Sequence, residues 1–220
     1  GRGGGVVGAV VVREELGRGA VGWRYLATVV VGGGVLRRAG PEWRARYLPD
    51  LVEGRLQLAL AVDEQERVFA PRNTAMSARE DGGDYRLDGR KVMVLNGDQA
   101  DRIIVLARTA GQAGERHGLS LFMLDPGLQG VTVTPHRLVD GHQAAQVTLD
   151  DVRLPSDALI GERDGAFGLL EAVLEDAVLA LGAEALDGRS SFVASTVEHS
   201  EPRQQCCVPT GRVHEVQPRT

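Results

Sequence analysis

Few residues in this chain stand in patterns that perform chemistry by themselves. Cys206 and Cys207 are adjacent, which is not metal-ligand spacing, and no other cysteine exists to complete a site or a bridge. The five histidines (His117, His136, His142, His199 and His214) form no HxxxH or HExxH pair, so no metal site is expected. There is no Gly-x-Ser-x-Gly elbow for a nucleophile, and no Gly-x-Gly-x-x-Gly turn follows a strand. Gly32-Gly33-Gly34 has neither the preceding strand nor the following Lys-Ser/Thr of a phosphate loop, so it reads as close helix packing. A chain with this inventory either borrows a cofactor or serves as a binding or assembly subunit.

The elements that must position such a site follow from periodicity. The 220 residues, 25% charged and 43% apolar, have an ordinary globular composition and enough length to bury a core. A pI near 5.6 and the lack of a basic block exclude a nucleic-acid protein held by phosphate contacts. No apolar run reaches the roughly 18–20 residues of a membrane helix. The run from Val6 to Val12 is also too short, and no cleavage pattern follows it. The single lysine, Lys91, among 25 Lys and Arg residues reads as coding bias.

Helical spacing covers residues 6–16, and a second helix is expected over 25–39 with Gly40 as its cap. Pro41 starts a third, short helix through Trp43 and Tyr47. From Leu56 to Leu154 the pattern switches to strands, over 57–62, 74–79, 91–95, 103–107, 119–124, 131–134 and 146–149. Asp81-Gly82 and Asp88-Gly89 read as hairpin dipeptides flanking Tyr85–Leu87. Short strands without intervening helices predict a barrel or sandwich. Helical spacing returns over 165–186.

The ends have a different character. The chain opens on Gly1-Arg2-Gly3-Gly4-Gly5 without a Met or a helix cap, which reads as the second half of something. Beyond Leu186 there is no further Leu, Ile or Met, while Pro202, Pro209, Pro218 and both cysteines lie there. That shift predicts a loop-like tail or a helical region whose sequence has decayed.

Several strings, in order, resemble the acyl-CoA dehydrogenase family. Glu14–Gly19 is similar to its "EELGRG" helix end, and Tyr47-Leu48-Pro49 to the close of "ARYLP". Tyr85–Lys91 resembles "GYVLNGRK", Gly118–Phe122 resembles "GISLFLVD", and Asp151–Glu162 resembles "DVRVPADALLGE". Arg24–Gly34 resembles the "PYLATVVLGGG" of a pimeloyl-CoA dehydrogenase small-subunit-like branch. The resemblance implies an α+β multidomain fold: a partial N-terminal helical domain over 1–55, a central β-barrel over 56–158, and the start of a C-terminal helical bundle over 159–220, eroded after about 187. The length then reads as a cut through a larger three-domain plan.

The resemblance also implies a chemistry. The family removes a proton α to a CoA thioester and passes the β hydride to FAD, which needs a carboxylate base and a flat apolar slot. Its first flavin strand falls on Val62, Asp63 and Glu64, where Asp63 replaces a Thr donor by an acceptor. Its second falls on Met93, Val94 and Leu95; Met93 stands for a stacking Trp and Leu95 for a Thr donor. Arg203 matches an arginine that reaches FAD pyrophosphate across a dimer interface. Glu175 falls on a glutamate that serves some members as the catalytic base, with Asp176 in place of the neighbouring Arg.

Its plainer reading is a solvated helix carboxylate. The expectation is therefore a flavin-dependent acyl-CoA dehydrogenase subunit, cytoplasmic, acting on acyl-CoA and oligomeric with itself or a related subunit. The alternative is a non-catalytic partner subunit or degenerate fragment with an assembly role.

Overall fold

The computed structural model describes residues 24–66, 70–200, 204–205 and 208–209. The helix expected over 6–16 lies outside them. Residues Trp23–Ala177 form one compact unit, and it carries all that follows except the far part of the last helix and the short strand pair after it.

The first helix, α1, is π-wound over Tyr25–Gly32 and α-wound over Gly33–Arg38. Its Val and Gly content is poor for an isolated helix, so burial must hold it. A Cβ on Gly32 would stand 2.6 Å from the Leu58 Cβ, and one on Gly33 would stand 3.2 Å from Leu51 Cδ2. The glycine run is therefore where the helix backbone presses on its neighbours, as close packing predicts. The second helix, α2 (Pro41–Val52), begins with proline at its first turn after Gly40, whose φ is +126°. Trp43 and Tyr47, one turn apart, stack at 5.5 Å.

Eight strands form one sheet: β1 (Leu58–Ala61), β2 (Ser77–Asp81), β3 (Asp84–Leu95), β4 (Arg102–Arg108), β5 (Leu119–Leu124), β6 (Val131–Arg137), β7 (Gln143–Leu154) and β8 (Leu159–Ile160). The order is β6-β7-β3-β2-β4-β5-β8, with β1 added parallel to β4. The path ends at β6 and β8, so the sheet is open and the closed barrel expected from the sequence is not formed by its pairings. Both ends suit an edge: β6 is mostly exposed and carries Pro135, and β8 has two residues. The sheet nonetheless curls. Tyr85 on β3 meets Phe122 on β5 edge to face at 4.9 Å, although two strands lie between theirs.

Leu87, Val147 and Leu149 join Ile103, Val105 and Phe122 in one inner cluster. On the opposite face of β4 and β5, Ile104, Leu106, Leu119 and Leu121 pack against Val35 and Leu36 of α1 and Leu51 of α2. Leu170 and Val173 of the last helix, α3 (Ala166–Ser200), complete that layer. Buried on both faces, β5 is apolar at every position but Ser120, which explains why its bounds are the ones the sequence predicts.

Other expectations change. Asp81-Gly82 does turn β2 into β3, with Gly82 and Gly83 at positive φ. Asp88-Gly89 makes no hairpin; it is a bulge inside the single long strand β3, where the register to β7 shifts. The strand expected from Thr74 starts at Ser77, because the N–H groups of Ala75 and Met76 bond to the Glu64 carboxylate instead of a ladder. Helix α3 continues to Ser200, past the composition change at Leu186, and Gln204–Gln205 pairs antiparallel with Val208–Pro209.

Candidate functional site

The chain leaves β1 through Val62, Asp63 and Glu64, and this exit segment runs beside β3. The Val92 N–H donates to the Asp63 carbonyl at 2.8 Å, which fastens the two segments together. At this point β3 bulges again: the register to β7 shifts between Lys91 and Val94, and Met93 takes a φ of +53°. That left-handed backbone is uncommon for a non-glycine residue. It throws the Met93 side chain outward, 48% exposed, while Val94 turns into the inner core.

An apolar cleft of about 150 Å³ opens there. Val62 and Asp63 line one side, and Met93 and Leu95 line another. Leu26, Ala27 and Val31 of α1, Leu60 of β1 and Leu174 of α3 complete it. Asp63 supplies the only side-chain charge in this lining. Helix α1 is set against the cleft by Thr28, whose hydroxyl accepts from the Leu58 N–H at 3.2 Å and from Asn96 Nδ2 at 3.3 Å.

The sequence-predicted residues divide at this point. Val62, Asp63, Met93 and Leu95 come together around the cleft. Val94 faces the core, so only its backbone is available to a ligand. Glu64 is directed elsewhere: its carboxylate accepts from Ala75 N and Met76 N at 3.0 Å and from Lys91 Nζ at 2.9 Å. Glu175 is exposed and follows Leu174, a cleft residue. Asp176, where the family has Arg, accepts from Arg38 Nη2 at 2.9 Å and so ties α3 to α1. Arg203 lies outside the described residues.

Lys91 is the residue that sequence reasoning passed over. It is fully buried, and its ammonium donates to Val62 O and Glu64 Oε1 at 2.9 Å and to Thr74 Oγ1 at 3.4 Å. Burial lowers its pKa to about 8, against the raising effects of Glu64 and Asp63. At Glu64 burial acts upward, but the Lys91 charge and the Met76 and Ala75 N–H groups outweigh it, and the carboxyl lies below its ordinary value. Both values fall, but with opposite meaning: the charged form is favoured at Glu64, which has backbone donors as well as Lys91, and disfavoured at Lys91, where burial outweighs the carboxylates. The available signal was that this is the chain's lone lysine.

Two other depressions are polar. One, about 210 Å³, is lined by Arg24, Leu95, Asn96, Asp98 and His142 among others. The other is an open groove of about 540 Å³ with Glu64, Glu66, Asp88, Arg90 and Asp150. Among the described residues, no group of three or more His, Cys, Asp or Glu side chains is placed to hold a metal ion. No helix among them is long and apolar enough to cross a membrane.

Residues 59–152 match the model of the family described as acyl-CoA dehydrogenase, middle domain. The match starts in β1 and ends in β7, so it takes in both cleft-forming strands. Over these residues the chain belongs to the acyl-CoA dehydrogenase family. Acyl-CoA dehydrogenase FadE12 of Mycobacterium tuberculosis is 31% identical over 218 residues, 96% of this chain and 55% of that protein. The structure of butyryl-CoA dehydrogenase from Megasphaera elsdenii superposes with a TM-score of 0.90 at 26% identity, over 98% of this chain and 58% of its own. The FAD complex of PigA superposes with a TM-score of 0.85 at 26% identity, over 96% of this chain and 57% of its own. The chain thus spans little more than half the length of these three proteins.

Proposed function

We propose that this chain is part of a flavin-dependent acyl-CoA dehydrogenase subunit that carries out α,β-dehydrogenation of an acyl-CoA thioester. The observation that carries this reading is the convergence of Val62, Asp63, Met93 and Leu95, the matches to two flavin strands, on one apolar cleft. The lining fits a flat ring system. Leu26, Val31, Val62 and Leu95 exclude water from its faces, Met93 offers a polarizable thioether contact, and Asp63 offers an acceptor to a ring N–H. The similarity to the FAD complex of PigA supports the choice of FAD.

FAD, when bound, would accept the hydride from the β carbon. Glu175 would take the α proton, from an exposed carboxylate on the turn of α3 that also presents Leu174 to the cleft. Arg203 would meet the pyrophosphate. The central strands would belong to the middle domain of a three-domain plan, divided at about 55 and 158, in the pimeloyl-CoA small-subunit-like branch. Acyl-CoA is the substrate class, the assembly is an oligomer with itself or a related subunit, and the compartment is the cytoplasm.

Purified chain mixed with FAD should show flavin absorbance after gel filtration, and acyl-CoA should bleach it. Glu175→Gln should abolish the bleaching and leave the bound flavin in place. Protein that stays colourless, alone and with a candidate partner subunit, overturns this reading. A non-catalytic assembly subunit then takes its place. Leu95 favours that second reading, since it lines the cleft where the resemblance expects a hydrogen-bond donor.

A further inference from the structure

We propose that Lys91 is a positioning residue that sets the width of the cleft between the β1 exit and the β3 bulge. It touches nothing in the cleft itself. It acts through Val62, whose carbonyl it holds at 2.9 Å while the Val62 side chain forms the cleft wall. The opposite wall, Met93, is two residues further along the strand that carries Lys91. The ammonium is therefore a cross-tie between the two walls, anchored outside the cleft by Glu64 and Thr74.

Three features give the tie its specificity. An ammonium has three N–H donors, and three oxygens receive them: Val62 O, Glu64 Oε1 and Thr74 Oγ1. A guanidinium is a planar fork and cannot match that tripod, which is a reason for one lysine in a chain whose other side-chain cations are all arginine. The anchor is itself held, because Arg108 Nε donates to Thr74 O at 3.0 Å and the Glu64 carboxylate rests on the Ala75 and Met76 N–H groups. The charged groups facing the ammonium are Glu64 in contact and Asp63 nearby, both on the β1 exit. Loss of its proton removes the third donor and the charge opposite Glu64, so the tie loosens at alkaline pH.

The inference rests on the cleft being the ligand-binding slot, and its test has one arm that needs no ligand. In the full chain, amide hydrogen exchange at Val92, whose N–H bonds across to Asp63, reports the tie directly. Lys91→Met should speed that exchange about tenfold relative to the Ile104 and Leu121 amides of the sheet centre. Should Lys91→Met fail to fold, Lys91→Met with Glu64→Gln removes the buried pair together and keeps the missing tie to Val62.

In the second arm, FAD titrated into the same proteins and followed by flavin fluorescence should bind about tenfold more weakly to the variants. Wild-type affinity should fall as pH rises through about 8, and the variants should show no such step. Unchanged Val92 exchange in a folded variant overturns the proposal, as does a variant that keeps wild-type FAD affinity with the same step near pH 8. If wild-type protein binds no FAD, the cofactor reading falls, and the exchange arm alone decides the role of Lys91.

Discussion

At the scale of single residues, the buried Lys91–Glu64 pair shows how position overrides type. Removing one member of a buried pair leaves an uncompensated charge and costs about 3–5 kcal/mol, whereas removing both is far milder. Lys91→Met should therefore destabilise the chain more than the double variant with Glu64→Gln, measured as urea midpoints at neutral pH. The pair also has a pH signature. The Glu64 pKa is lower folded than unfolded, so its contribution is fully present above its ordinary value of 4.5 and disappears as pH falls through the folded value. Urea midpoints followed downward from about pH 6 should fall less steeply in Glu64→Gln than in wild type. An identical acid limb would show that Glu64 does not titrate against the fold.

Neither residue's role was legible in the chain. Family register names Val62, Asp63, Met93 and Leu95, and the structure puts all four in the lining of one cleft. It could not tell that Glu64 turns toward Lys91, nor that the bulge at Met93 breaks the alternation and sends Val94 inward.

At the scale of elements, the glycine run of α1 sets how closely the helix approaches β1. Gly32→Ala should cost about 1–3 kcal/mol, since the new Cβ would stand 2.6 Å from the Leu58 Cβ and the helix must move off the sheet. Gly168→Ala is the matched control: it lies in α3 with nothing within 4 Å of a built Cβ, and it should stabilise by up to about 1 kcal/mol. Thermal melts of the two variants should move in opposite directions. Melts that both rise would mean that the α1–β1 junction relaxes freely. The helices α1 and α2 were legible because Gly40 and Pro41 punctuate them locally. The bulges in β3 were not, because Asp88-Gly89 serves a bulge as well as a turn, and the choice depends on β7 being alongside.

At the scale of the whole molecule, the curl of the sheet decides which strands are stable. Strands β4 and β5 are buried on both faces, while β6 is an exposed edge. Hydrogen exchange should be slowest at Ile104 and Leu121 and fastest along Val131–Arg137, and the reverse order would contradict an open sheet with β6 at its rim. Phe122 is fully buried in the inner cluster against Tyr85, so Phe122→Ala should cost about 3–5 kcal/mol in denaturant unfolding.

The order of helices, strands and helices, the bounds of β5 and the proline start of α2 were determined by sequence alone. Each rests on periodicity or on residues adjacent in the chain. Tertiary structure decided that the sheet stays open, that Asp88-Gly89 is a bulge, and that a lone lysine crosses from one cleft wall to the other. Those outcomes depend on strands far apart in sequence meeting, and Lys91 reaches Val62 across 29 residues of chain.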